Sequence, residues 1–151
     1  MTNALIHLFP ATIHPMVVHF TIAVIYLAGL SGVLALIFRK DRFYARAFLL
    51  LLGLSIIVTL AAGVAGVISE SYVHIGSTVA ADLNRHKEDG ELTGVLVVIG
   101  FLFQVWKWWR QGQEMRASFI AVLFSLAAVV MVSFTGHLGG MMVYHYGLGV
   151  H

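Results

Sequence analysis

Four long apolar stretches set the plan of this chain. They run from about Pro15 to Phe38, Tyr44 to Ser69, Leu92 to Trp109 and Ala117 to Gly136, and none has Asp, Glu, Lys or Arg in its interior. A bilayer's hydrocarbon core is about 30 Å thick, which takes roughly 20 helical residues at about 1.5 Å each. Backbone N–H and C=O groups find no water there, so each stretch must pair its own and is predicted to be a helix. A transmembrane barrel would need short segments of alternating polarity, which the sequence lacks.

Between the second and third stretches lies the one sizeable polar segment, SESYVHIGSTVAADLNRHKEDGE, from Ser69 to Glu91. Ile75, Val79 and Leu83 recur in it at helical spacing. It reads either as a short interfacial helix or as an extension of the third helix, with Gly90 the expected interruption. The other connections are short, so sequential helices are antiparallel neighbours. The simplest fold is all-α, a single-domain, integral membrane four-helix up-down bundle. Small residues at Ala28 and Gly32, Ala62 and Gly66, and Gly136 and Gly140 suit close helix approach in lipid. No internal repeat stands out.

Composition agrees. The 151 residues are 60% hydrophobic and only 11% charged, whereas a water-soluble domain has about a quarter of its residues charged. Of the nine Lys and Arg, seven flank the first and third connections: Arg39, Lys40, Arg42, Arg46, Lys107, Arg110 and Arg116. Only Arg85 and Lys87 fall in the 69–91 segment. The positive-inside rule makes the seven cytoplasmic and places both termini outside. Trp106, Trp108 and Trp109 are then the inner aromatic anchors, and Tyr72, Tyr144 and Tyr146 the outer ones. The opening MTNALIHLFPATI has neither a positive n-region nor a small-residue cleavage pattern, so the first helix is expected to stay in the mature protein.

The chemistry lies in histidine. The absence of cysteine excludes disulfides, thiolate metal sites, iron–sulfur clusters and covalent c-type haem. No phosphate loop, nucleophile elbow or mid-membrane charge is present, and the net charge of +2 gives no reason to expect a nucleic acid partner. All eight histidines (His7, His14, His19, His74, His86, His137, His145 and His151) fall on the outer half of this topology. Counted up from Phe38, His19 stands roughly 28 Å above the cytoplasmic helix end. His86 above Lys107, and His137 above Arg116, each stand roughly 31 Å up. Three helices thus bring one imidazole each to one level, with His14 about 7 Å above His19.

Such a set suits b-type haem, which needs two axial imidazoles and no cysteine. His19 and His137 are the preferred pair, with Gly136, Gly139 and Gly140 beside His137 to make room; His14 and His86 come next. Zn²⁺ or copper held by His19, His86 and His137, with His14 in reserve, is the alternative. A third possibility is a structural or assembly subunit without a cofactor. His14 and His19 diverge by about 140° around a helix, so they cannot chelate one ion together. Pro15 suits a first helical turn and casts His14 as a cap or supporting group. Met141 and Met142 are better suited to filling gaps than to ligation.

The stretches HPMVVHFTIA, AAGVAGVIS and GHLGGMMVYHYGLGV, with a His ahead of the third helix, resemble a bacterial family of small four-helix membrane proteins of unknown function. Its marks are an HPxxVHF opening and a GGxxVYxxGxGV ending, and the likeness covers essentially the whole chain. Members usually carry Pro after HF, where this chain has Thr21. His14, His19 and His137 lie inside the matching motifs; His86 matches by position. The resemblance implies the fold, a place in the bacterial inner membrane with periplasmic termini, and candidacy as a haem-bearing subunit. The expected function is electron transfer near the outer face, with a quinone or redox protein as partner and within an oligomer or larger complex.

Overall fold

The computed structural model describes residue 10 and residues 12–72, 76–111 and 115–147. Four helices account for nearly all of them: α1 Ile13–Ile37, α2 Arg42–Glu70, α3 Ser77–Gln111 and α4 Phe119–Tyr146. Each is long and apolar enough to cross a membrane. Both α1 and α3 pack on α2 and α4, so α1 faces α3 across the bundle diagonal. The start of α1 and the end of α4 share one end of the bundle, here the terminal end. The Lys/Arg-rich turns form the other, basic end.

A thin seam of small residues holds the bundle together. On α1 it runs through Thr21, Val24, Ile25, Ala28, Gly29, Ser31, Gly32 and Ala35, a spacing of three and four that keeps one stripe inward. Glycine allows direct contact: a Cβ at Gly32 would stand 2.9 Å from the Phe48 ring, and one at Gly29 would stand 2.9 Å from Val129. Gly136 sits against Ile22, whereas Gly140 has no neighbour within 4 Å of such a Cβ. The outward faces are as apolar as the seam, with Leu50, Ile57, Leu60 and Val67 all well exposed. A helix apolar on every side belongs in lipid. Two inward polar side chains tie α1 to α2: Thr21 donates to the Val58 carbonyl at 3.1 Å and Ser31 to that of Tyr44 at 3.2 Å.

The polar segment between the second and third stretches is mainly helix. α3 begins at Ser77 and runs unbroken through Gly90 for 35 residues, about 52 Å. It is therefore an extension of the membrane helix, and Gly90 does not interrupt it. A Cβ there would meet Thr135 at an ordinary 3.8 Å, so no close approach calls for glycine. The polar turns of α3 tie to its neighbours where Lys87 pairs with Glu70 of α2 at 2.7 Å and Tyr146 of α4 donates to Asp82 at 3.1 Å. α4 runs ten residues past Gly136, carrying HLGGMMVYHY as helix. It ends where Gly147 adopts φ 64° and donates to the Val143 carbonyl, a left-handed cap that glycine adopts without strain.

At the basic end Asp41 caps α2 by accepting from the Phe43 N–H, and Ser118 caps α4 by accepting from that of Ala121. The α3–α4 turn is clamped by Gln104, which is fully buried. Its amide donates to the Arg116 carbonyl at 3.2 Å and accepts from the Ser118 N–H at 2.8 Å. Gln104→Leu strands the buried Ser118 N–H, which costs about 1–3 kcal/mol without a partner, and removes the part-buried bond to the Arg116 carbonyl. The variant is expected to lose about 2–4 kcal/mol, read as a lowered midpoint of thermal unfolding in detergent.

Candidate functional site

At the terminal end two imidazoles enter the bundle from opposite corners. His14 lies in the first turn of α1, seven residues before Thr21, fourteen before Ala28 and twenty-one before Ala35. Seven residues is nearly two helical turns, so His14 heads the same inward stripe as those buried residues. His86 does likewise on α3, in step with buried Val79 and Thr93 and with Gly100, which a Cβ would bring to 3.3 Å from the Ala121 carbonyl. The two rings meet across the diagonal with centroids 5.8 Å apart and planes at 83°.

Each ring is held by the helix beside it. His14 Nδ1 is 3.0 Å from the Ala62 carbonyl of α2, and His86 Nδ1 is 3.0 Å from the Thr135 carbonyl of α4. A carbonyl can only accept, so Nδ1 carries the hydrogen in both rings. In the neutral imidazole this leaves Nε2 as the bare lone pair. A helix carbonyl already accepts from the N–H four residues on, and the side chain there normally covers it. At both sites that residue is glycine. A Cβ at Gly66 would stand 3.3 Å from His14 Nδ1, and one at Gly139 would stand 3.2 Å from His86 Cε1.

The two hairpins thus build the same half-site. α1–α2 contributes His14, Thr21 and the stretch Ala62-Gly63-Val64-Ala65-Gly66; α3–α4 contributes His86, Thr93 and Thr135-Gly136-His137-Leu138-Gly139. The spacing from His to Thr is seven in both, and glycine recurs at both positions of the second stretch. Thr21 and Thr93 each donate to the carbonyl four residues back. The His14 backbone N–H, unpaired within its own helix as first-turn groups are, donates to Ser69 Oγ of α2 at 3.3 Å. His14 is therefore not the cap of α1; it is the N–H that a neighbouring helix caps.

The other candidates lie elsewhere. His19 is exposed on the outside of the bundle, its Nδ1 turned back on the Pro15 carbonyl of its own helix at 2.6 Å. His137 is also exposed; it follows inward-facing Thr135 by two residues, about 200° around the helix. His145 is exposed as well, while His7, His74 and His151 lie outside the described residues. Met142 is buried in the core and Met141 faces outward. Among the described residues no group of three or more His, Asp or Glu side chains comes together as a metal site.

Depth counting from the sequence puts His19, His86 and His137 at one level, with His86 measured up its helix from Lys107. That helix continues to Gln111. From the observed ends, Ile37 and Gln111, His14 and His86 stand about 35 and 38 Å up, the same level to within a turn. The signal that would have found the pair is azimuth, namely the seven-residue step from each His to a Thr and on to small residues.

The fold and these residues define a class: a four-helix membrane protein with two inward imidazoles sharing one tautomer. The chain belongs to the family described as "Predicted membrane protein (DUF2231)", whose model matches residues 10–151. Comparison with curated proteins and with solved structures gives no match.

If the glycines admit the imidazoles, a side chain there expels them. Gly66→Val and Gly139→Val are each expected to break one His–carbonyl bond. Nitrogen-15 NMR of histidine-labelled protein at neutral pH reads this directly: Nδ1–H rings at His14 and His86 in the parent, and loss of that signature at His14 in the first variant and at His86 in the second.

Proposed function

We propose that this chain is a b-type haem subunit of a membrane redox system, with His14 and His86 as the axial ligands. The observation that carries this is the pair itself: two imidazoles 5.8 Å apart across the bundle, each fixed through Nδ1 to a backbone carbonyl. Histidine ligands characteristically donate their second ring nitrogen in this way, which sets the tautomer and makes the coordinating nitrogen more basic. Two imidazoles bonded to one ion from opposite sides at about 2.0 Å have ring centres roughly 6.3 Å apart, about half an ångström more than in this pair.

Ligand number favours haem over zinc or copper. A zinc site draws three or four ligands from the protein, and among the described residues only two imidazoles converge here. Haem needs only one or two ligands from the protein, and His14 and His86 would hold it. When bound, it supplies a one-electron iron couple. The chain's own parts do the rest. The Ala62 and Thr135 carbonyls orient the rings, Gly66 and Gly139 let them seat, and the apolar seam below keeps water out.

The Lys/Arg distribution supports a placement in the bacterial inner membrane with the basic end cytoplasmic and both termini periplasmic. The imidazole pair then lies toward the periplasmic face. Electrons would pass there between a quinone or redox protein and an outer acceptor, with the chain acting as a carrier within a larger complex.

Protein purified from haem-replete cells is expected to show a Soret band. His14→Ala and His86→Ala should each reduce haem content at least tenfold, whereas His19→Ala and His137→Ala should retain it. Colourless wild-type protein, or haem unchanged in the His14→Ala, His86→Ala double variant, contradicts this assignment.

A further inference from the structure

The basic end holds a feature that the imidazole site does not use. Where α1 ends, α3 ends and α4 begins, a cavity of about 250 Å³ is lined by Arg39, Lys107 and Arg116, from the turn after α1, from α3 and from the segment leading into α4. None of its lining residues is acidic. Lys107 is anchored by donating to the Ala117 carbonyl at 2.9 Å, and Arg39 by donating through Nε to the Leu36 carbonyl at 3.0 Å. Each bond uses one donor and leaves the remaining N–H groups of that side chain. α4 starts at the cavity edge with Phe119, adding the positive end of its dipole. Like charges gathered at one recess repel one another, and an anion placed among them is attracted by each.

The neighbourhood says which anion. The cavity shares Lys107 and Phe119 with an adjoining open cleft of about 480 Å³, lined also by Trp106 and Ile120. Trp106, Phe119 and Ile120 are exposed on the outer surface, where a transmembrane bundle meets acyl chains. A cationic recess that opens onto an apolar cleft matches a molecule charged at one end and apolar at the other. Basic pockets between membrane helices bind lipid headgroups on this basis.

We propose that the cavity binds the phosphodiester of one anionic phospholipid, with an acyl chain along the Trp106–Phe119–Ile120 cleft. The test uses full-length, delipidated protein in neutral detergent, with native mass spectrometry after addition of phosphatidylglycerol, phosphatidylcholine or inorganic phosphate. One phosphatidylglycerol is expected to be retained with at least tenfold preference over phosphatidylcholine. Arg39→Gln, whose side chain makes only a local bond to the helix just before it, should weaken retention at least fivefold. Lys107→Met should do so more strongly, and Lys40→Gln, outside the cavity lining, should not. Equal retention of the two lipids, or an Arg39→Gln variant that binds like wild type, overturns the site. Displacement of the lipid by millimolar inorganic phosphate overturns the lipid assignment in favour of a free-anion site.

Discussion

The terminal end of this bundle depends on one hydrogen bond made twice, from imidazole Nδ1–H to a helix carbonyl left uncovered by glycine. An imidazole brought into an apolar bundle must have its N–H satisfied, because a buried donor without a partner costs about 1–3 kcal/mol. The helices offer few free acceptors, since every carbonyl is already engaged along its own axis. Glycine four residues on exposes the second lone pair of that carbonyl and clears the space for the ring. One substitution class therefore meets three needs: close packing, a satisfied donor and a defined tautomer. The same choice leaves Nε2 of each ring as the nitrogen not used in that bond.

The arrangement is built by two hairpins using the same parts. His14 with α2 and His86 with α4 are equivalent half-sites, and each continues into a seam where threonine bonds back to its own helix. Symmetry of this kind brings two like groups to the bundle diagonal without any residue designed for the contact between them. It also separates the molecule into two regions of different chemistry. The terminal end gathers neutral nitrogen donors. The basic end, about five to six turns along α3 from His86, gathers fixed cations around the Gln104 clamp.

Much of the fold is legible in the sequence because membrane helices are selected by one property, sustained apolarity over about 20 residues. The four helices and their antiparallel order follow from it. The ends are less legible, since nothing in hydropathy distinguishes a helix that stops at the interface from one that continues into water. That is why α3 starts fifteen residues before Leu92 and α4 outlasts Gly136 by ten. Depth does not choose among the histidines: from the observed helix ends His19 and His137 share one level, and His14 and His86 share another. Azimuth distinguishes them. His14, Thr21, Ala28 and Ala35 share a stripe with buried neighbours, whereas His19 shares one with Tyr26, which is 47% exposed. The apolar runs conceal this stripe because their outer faces are as hydrophobic as their inner ones. The repeat was hidden for a related reason: its matching residues, a His, a Thr and two glycines, are sparse among interchangeable aliphatics.

Electron paramagnetic resonance of the oxidised, purified protein tests the central claim most directly. Two imidazoles with planes at 83° on one ferric haem give a strongly anisotropic low-spin signal, and the account predicts that signal in wild type and in the His19→Ala, His137→Ala double variant, with its loss in His14→Ala. A protein devoid of ferric haem, or a low-spin signal that survives replacement of both His14 and His86, would contradict it.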